Sequence, residues 1–365
     1  MRHAVSSATA GEPTMPNEST VSTPTRPSGP ELGLSGIVQL AVGYQRAQVL
    51  FTANALGVFS LLASGPRTAS EVAAHLGCAV RGVTALLDAC VRLGLLRTTG
   101  ASYQNSRSAS LFLVPGRESS YSSVLSFWQR FSYGVWGRLE HAVRENAPQT
   151  ATGSKPDDLF DSMTADAEQL RLFFDGLAGL AYWPANRIAD AYDFAARTHL
   201  LDLGGGSGAF STILATRHLH LRVTLFDLEP VCKLARERFT AAGLDSRARA
   251  VPGDFHHDRL PTDCDSVLVA NVLHDWSPDE CVAILERVHA ALPPGGEILI
   301  HETMPDEAET PEAPLFSLAL LLDTQRGRAY RFTELQEWLE RCEFQDVRRL
   351  PIVGATGLVV ARKKE

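Results

Sequence analysis

Four short segments in the second half of the chain hold chemically capable residues at readable spacing. The first is the loop Asp202-Leu203-Gly204-Gly205-Gly206-Ser207-Gly208-Ala209, between an apolar stretch and a helical one. Glycines there let a ligand approach the backbone, and a helix N-terminus offers free N–H groups. Gly204, Gly206 and Ala209 also satisfy the G-x-G-x-x-[GA] dinucleotide pattern, so the loop alone does not choose a cofactor. The second segment is Phe226-Asp227-Leu228. Just past a strand, the Asp227 carboxylate can accept both ribose hydroxyls of an adenosine-containing cofactor; without that context it reads as a turn or helix cap. The third and fourth are strand ends, Gly253-Asp254-Phe255 and Asn271-Val272-Leu273-His274-Asp275-Trp276. Asp254 can accept from an adenine amino group while Phe255 stacks on the ring, and His274 sits one strand along, near where a substrate would lie. Taken alone, His274 reads as a core or capping histidine ahead of the capping box Ser277-Pro278-Asp279-Glu280. At a strand end beside cofactor motifs it reads as a base.

These segments need a scaffold of strands and helices. Leu200–Leu203 reads as a buried strand, followed by a helix from about Ala209, a strand Arg222–Phe226, a helix over about Pro230–Ala242, a strand Val267–Ala270, a helix over Pro278–Leu292 and a strand Glu297–His301. Such alternation specifies a mostly parallel sheet covered on both faces, with ligands at the carboxyl ends of its strands. The fold class is therefore α/β, a Rossmann-like C-terminal domain behind a mostly helical N-terminal one. In that front part Thr68-Ala69-Ser70-Glu71 is a capping box opening a helix Glu71–Leu76, a second helix runs over about Arg81–Leu93, and a hairpin-like stretch reaches Tyr103. This is a winged-helix order. The expected division is a disordered Ser/Thr/Pro-rich tail at 1–31, a helical dimerisation domain at 32–120, connecting helices at 121–195 that line an acceptor pocket, and the cofactor domain at 196–365.

Composition narrows the classes. Lys and Arg number 34 against 42 Asp and Glu, a net charge of −8. An acidic chain with an acid-bearing second helix is a poor match for nucleic acid or anionic membrane, which require a basic stripe. No apolar run reaches the roughly 20 residues of a bilayer span. The six cysteines lie far apart with no C-x-x-C pair, which predicts reduced thiols in a cytoplasmic protein rather than a disulfide or zinc framework. No Tyr-x-x-x-Lys pair exists to protonate a carbonyl, which counts against a nicotinamide oxidoreductase.

Leu-Asp-Leu-Gly-Gly-Gly-Ser-Gly at 201–208, Phe-Asp-Leu at 226–228, Gly-Asp-Phe at 253–255, His-Asp-Trp-Ser-Pro-Asp-Glu at 274–280 and Pro-Pro-Gly-Gly at 293–296 resemble the S-adenosylmethionine-dependent small-molecule O-methyltransferases. These include plant caffeate and isoflavone enzymes and bacterial antibiotic-tailoring enzymes. The resemblance covers about residues 35–363 and implies a homodimer intertwined through the helical front domain. It implies that Gly204 and Gly206 hold the amino-acid part of S-adenosylmethionine, Asp227 with Leu228 the ribose, and Asp254 with Phe255 the adenine, with Asn271 in the same site. It further implies that His274 is the general base, oriented by Glu302, and that a small aromatic, phenolic acceptor is O-methylated. Asp275, Phe131 and Tyr182 are expected to contact that acceptor. The family's second orienting acid is missing: the stretch reads Gly327-Arg328-Ala329-Tyr330-Arg331, so Ala329 or Tyr330 stands in its place. C-methylation on the same scaffold and a winged-helix regulator are the alternatives. His256 and His257, with His274 and His301, raise the thought of a metal; none is expected, because adjacent histidines on an extended segment point to opposite sides.

Overall fold

The computed structural model describes residues 31–149, 166–306, 311–352 and 355–365; the expected tail therefore lies, but for Glu31, outside the described residues. Residues up to Gln45 form one unit and Arg46–Glu365 the other. In the first, the helix Leu34–Ala41 buries none of its residues, and Leu34 and Leu40 are 78% and 71% exposed.

The second unit begins with helices and a small sheet. Thr68 and Glu71 form the capping box read from the sequence, so the helix starts at Ala69 and runs to Leu76. A helix Val80–Arg92 follows, then the strand pair β2 (Leu96–Thr99) and β3 (Ser102–Asn105), which β1 (Arg67–Thr68) joins in the order β1-β3-β2. Val72, Val83, Leu87 and Leu96 close the core of this part with Phe59.

The remaining strands make one seven-stranded sheet: β4 (His199–Leu203), β5 (Arg222–Asp227), β6 (Ala248–Pro252), β7 (Ser266–Ala270), β8 (Glu297–Thr303), β9 (Phe344–Pro351) and β10 (Thr356–Lys363). Their order is β6-β5-β4-β7-β8-β10-β9. The first five are parallel, while β10 runs antiparallel to both β8 and β9. All five residues of β4 are buried, as a central parallel strand with two covered faces requires. Leu201, Leu203, Val267, Val269 and Ile300 face the helices Pro278–Ala291 and Phe332–Arg341. Leu200, Val223, Leu225, Leu268 and Leu299 face Ala167–Ala191, Ala209–Arg217 and Glu229–Ala241. The parallel strands deliver Leu203, Asp227, Pro252, Ala270 and Thr303 to one edge of the sheet.

All six cysteines are free, five of them buried. Burial pushes the Cys264 and Cys281 thiols up to about 12, so they pack as apolar groups. Among the described residues no single helix is long and apolar enough to cross a membrane.

Candidate active site

The glycine loop after β4 is built on left-handed backbone: Gly204, Gly206 and Gly208 have φ of 65°, 57° and 75°. Side chains at these positions would be strained. Gly205 is constrained differently, by space. A Cβ there would stand 2.6 Å from the Asp202 carboxyl carbon and 2.8 Å from Leu225 Cδ1. Asp202 is thus the floor of the loop. Its Oδ2 accepts from the Ser211 hydroxyl at 2.5 Å, Oδ1 is buried without a partner, and burial raises the carboxyl to about 6. An unpartnered buried carboxylate oxygen is costly unless a ligand donor reaches it, so this cradle fits a cofactor carrying a cationic or N–H group.

Asp227 closes the other side of the loop. It accepts from the Gly206 N–H at 2.8 Å and the Leu228 N–H at 2.7 Å. Burial lifts its carboxyl to about 6 as well, against the pull of those two bonds. A Cβ on Gly204 would lie 3.5 Å from Phe255 Cε1, so the Phe255 ring faces the glycine loop. Phe255 meets Trp276 edge-on, with ring centroids 5.9 Å apart. Asp254 anchors the turn beneath by accepting from the His256 N–H at 2.8 Å. Asn271 takes a left-handed φ of 55° and donates its N–H to the His301 carbonyl, which ends β7 and swings the chain toward His274.

His274 lies on a short 3₁₀ turn, Leu273–Asp275, and is only 9% exposed. Glu302, at the end of β8 and 1% exposed, holds it. Glu302 Oε1 accepts from the Val272 and Leu273 N–H groups at 3.0 and 2.8 Å, while Oε2 takes the His274 Nδ1 hydrogen at 2.6 Å. The carboxylate is therefore fixed by backbone before it fixes the imidazole, and Nε2 is left to accept a proton. Burial alone would lower the His274 pKa. The Glu302 and Asp275 charges and the Glu302 hydrogen bond outweigh it, raising the group to about 9. Nε2 faces Asp275, whose Oδ1 is 3.6 Å away. Phe316, on the helix Glu312–Asp323, packs edge-on to the imidazole at 5.0 Å.

The site thus brings Gly204, Gly206, Asp227, Leu228, Phe255, Asn271, His274, Asp275 and Glu302 to one sheet edge. The aromatic residues divide. Phe131 belongs to a ring chain with Phe127, Phe173 and Phe174, and a Cβ on Gly206 would come within 3.2 Å of Phe174. Tyr182 instead meets Trp183 edge-on, with ring centroids 5.3 Å apart. The segment holding His256 and His257 is a turn, not an extended run. His256 packs on Trp276 at 4.1 Å, His257 is exposed, and His301 points to the opposite sheet face, toward Phe210. Burial lowers His301 to about 4, keeping it neutral. A His199, Asp263 and Cys264 grouping lies at the far end of the sheet, where Arg249 already pairs with Asp263 at 2.7 Å.

The stretch expected to carry a second acid does other work. Ala329 is buried, the Tyr330 hydroxyl donates to the Trp276 carbonyl at 2.5 Å, and Arg328 pairs with Glu334. Sequence reasoning gave no role to Asp202 or Phe316. Asp202 had a signal, an acid at a strand end directly before the glycines; Phe316 comes from a distant helix and had none.

Family models match the chain as an O-methyltransferase domain over residues 136–345 and an O-methyltransferase dimerisation domain over residues 38–115. A 3-hydroxy-5-methyl-1-naphthoate 3-O-methyltransferase of Streptomyces sahachiroi is 34% identical over 331 residues, covering 90% of this chain and 94% of its own. An N,N-dimethyltransferase of Streptomyces rimosus is 33% identical over 286 residues, 78% of this chain and 83% of its own. The crystal structure of human N-acetylserotonin methyltransferase with SAM superposes with a TM-score of 0.85 at 31% identity, covering 93% of this chain and 100% of that one. The chain belongs to this O-methyltransferase family.

Proposed function

We propose that this O-methyltransferase transfers a methyl group from S-adenosylmethionine to a hydroxyl of a small aromatic, phenolic metabolite, with His274 as general base. The observation that carries the reading is the Glu302–His274 pair, held by backbone at the same sheet edge as the glycine loop. When bound, S-adenosylmethionine supplies an electrophilic methyl carbon. Gly204 and Gly206 with Asp202 would hold its amino-acid part, Asp227 and Leu228 the ribose, Asp254 and Phe255 the adenine, and Asn271 the turn between cofactor and base. Phe131 and Asp275 line the acceptor side, and Tyr182 contributes to the outer wall.

His274 Nε2 takes the acceptor's proton while Nδ1 stays donated to Glu302. A phenol near pKa 10 facing an ordinary imidazole near 6.5 would oppose full transfer by about 4.8 kcal/mol. With His274 raised to about 9, the mismatch is about one unit, or about 1.4 kcal/mol. The cost has moved to availability: at pH 7 about one His274 in a hundred is neutral, so turnover rises with pH until about 9. Burial of the His274 imidazole against Phe316 keeps water from the developing phenolate.

Domain roles follow the same reading: residues 32–120 pair two copies into a homodimer, 121–195 line the acceptor pocket, and 196–365 bind the cofactor. The exposed apolar side chains of Leu34, Ile37, Val38 and Leu40 support the pairing. The aromatic acceptor named for the Streptomyces sahachiroi relative supports an aromatic metabolite as the acceptor, and the free cysteines support a reducing, cytoplasmic setting. The test is incubation with deuterated-methyl S-adenosylmethionine and a panel of phenols, read by mass spectrometry and NMR. Methyl on oxygen is expected; methyl on carbon, or no transfer to any phenol, overturns the reading.

A further inference from the structure

The helix Glu229–Ala241 packs directly under the glycine loop. A Cβ on Gly208 would meet Phe239 Cε1 at 2.9 Å and the Ala235 Cβ at 3.5 Å, so no side chain separates the loop backbone from the helix there. The two arginines of this helix are used differently. Arg236 pairs with Glu229 at 2.9 Å on the surface. Arg238 turns to the loop instead: its Nε donates to the Ser207 carbonyl at 2.9 Å, and its Nη2 reaches the Ser207 hydroxyl at 3.5 Å and an Asp175 carboxylate oxygen at 3.8 Å. Ser207 is itself buried, and its hydroxyl donates to the Phe174 carbonyl at 3.4 Å.

That grip falls on backbone with much freedom to lose. Three left-handed glycines within five residues give the unbound loop many shapes, and ordering them at the moment of binding subtracts from affinity. Two anchors already fix the inner side of the turn. Asp227 takes the Gly206 N–H at 2.8 Å, and the Gly208 N–H goes to the Gly205 carbonyl at 3.0 Å. The Ser207 carbonyl is the outward end of the same turn, and a guanidinium N–H holds it with a charge-assisted bond.

We propose that Arg238 is a positioning residue for the methyl donor: by holding the Ser207 peptide it sets the glycine loop in its binding shape before S-adenosylmethionine arrives, and so governs cofactor affinity without touching the reacting atoms. This rests on the placement of the cofactor's amino-acid part on Gly204 and Gly206.

The comparison that tests it is Arg238→Met against Arg171→Met. Arg171 pairs with Glu237 at 2.6 Å and ties the helix Ala167–Ala191 to the same helix Glu229–Ala241 at the surface. Calorimetry is expected to show S-adenosylhomocysteine binding about ten-fold weaker in Arg238→Met, the loss of one charged donor, and within two-fold of wild type in Arg171→Met. KM for S-adenosylmethionine should rise by the same factor in Arg238→Met while kcat at saturation stays within two-fold. A merely structural loss lowers the active fraction and with it kcat, leaving KM and affinity unmoved. Arg238→Lys, which keeps a charged donor, is expected to hold the loss to about three-fold and serves as the reading should Arg238→Met not fold. Wild-type affinity in Arg238→Met or Arg238→Lys, an equal loss in Arg171→Met, or a fall in kcat with KM unchanged overturns the proposal. A wild type that binds no S-adenosylhomocysteine overturns the cofactor placement itself.

Discussion

The two halves of the sheet edge are assembled differently. On the side of β4, β5 and β6, the binding groups come from backbone turns and from residues within a few positions of a strand end: Asp202, Gly204, Gly206, Asp227 and Phe255. On the side of β7 and β8, the reacting histidine depends on partners far along the chain, with Glu302 28 positions away and Phe316 and Gly327 on later elements. A half written in consecutive residues tolerates changes in the other half; a half assembled from distant elements is vulnerable wherever one of them shifts. Cofactor affinity and turnover are therefore separable, and substitutions can pull them apart.

The largest separation is expected from His274→Ala. Loss of the base lowers kcat by about 10²–10⁴-fold, while S-adenosylhomocysteine affinity by calorimetry stays within about two-fold. Parallel losses would mean that the two halves are coupled. Gly327→Ala tests the same boundary without touching a reacting group. A new Cβ against the His274 carbonyl moves the base, and a misplacement near 1 Å is expected to cost about 10²-fold in kcat with cofactor binding retained. Asp227→Ala is the mirror experiment. Removing an acceptor of charge-assisted bonds is worth about 1.5–3 kcal/mol, or about 10- to 150-fold in S-adenosylhomocysteine affinity. Tyr330→Phe carries the smallest effect. It removes the hydrogen bond to the Trp276 carbonyl, and denaturant titration is expected to show about 1 kcal/mol of lost stability with the pH profile of turnover unmoved.

The same contrast explains what could be read before folding. The glycine loop, Asp227, Phe255 and His274 announce themselves because strand, turn and helix signals surround them within ten residues. The capping boxes at Thr68 and Ser277 are legible for the same reason, being closed by a residue three positions on. β9 and β10 were not legible as an antiparallel closing pair, because only pairing with β8 decides their direction. Phe316 has no local signature at all: it sits inside an apolar helix, and its place appears only when its ring is seen against His274. Tyr330 illustrates the converse. Its position in the family pattern predicts a group acting on His274, yet its hydroxyl is spent on a backbone carbonyl.

The account turns on a carboxylate raising the proton affinity of one buried imidazole, and the pH dependence of kcat/KM for a phenolic acceptor measures that directly. Because His274 must be neutral to act, the wild type is expected to show a limb that rises with pH and levels near 9. Glu302→Gln removes the charge that opposes burial, so the limb moves to lower pH, to 6.5 or below, while the plateau falls. A wild-type profile that is flat from pH 7 to 10, or a limb that Glu302→Gln leaves in place, would contradict it.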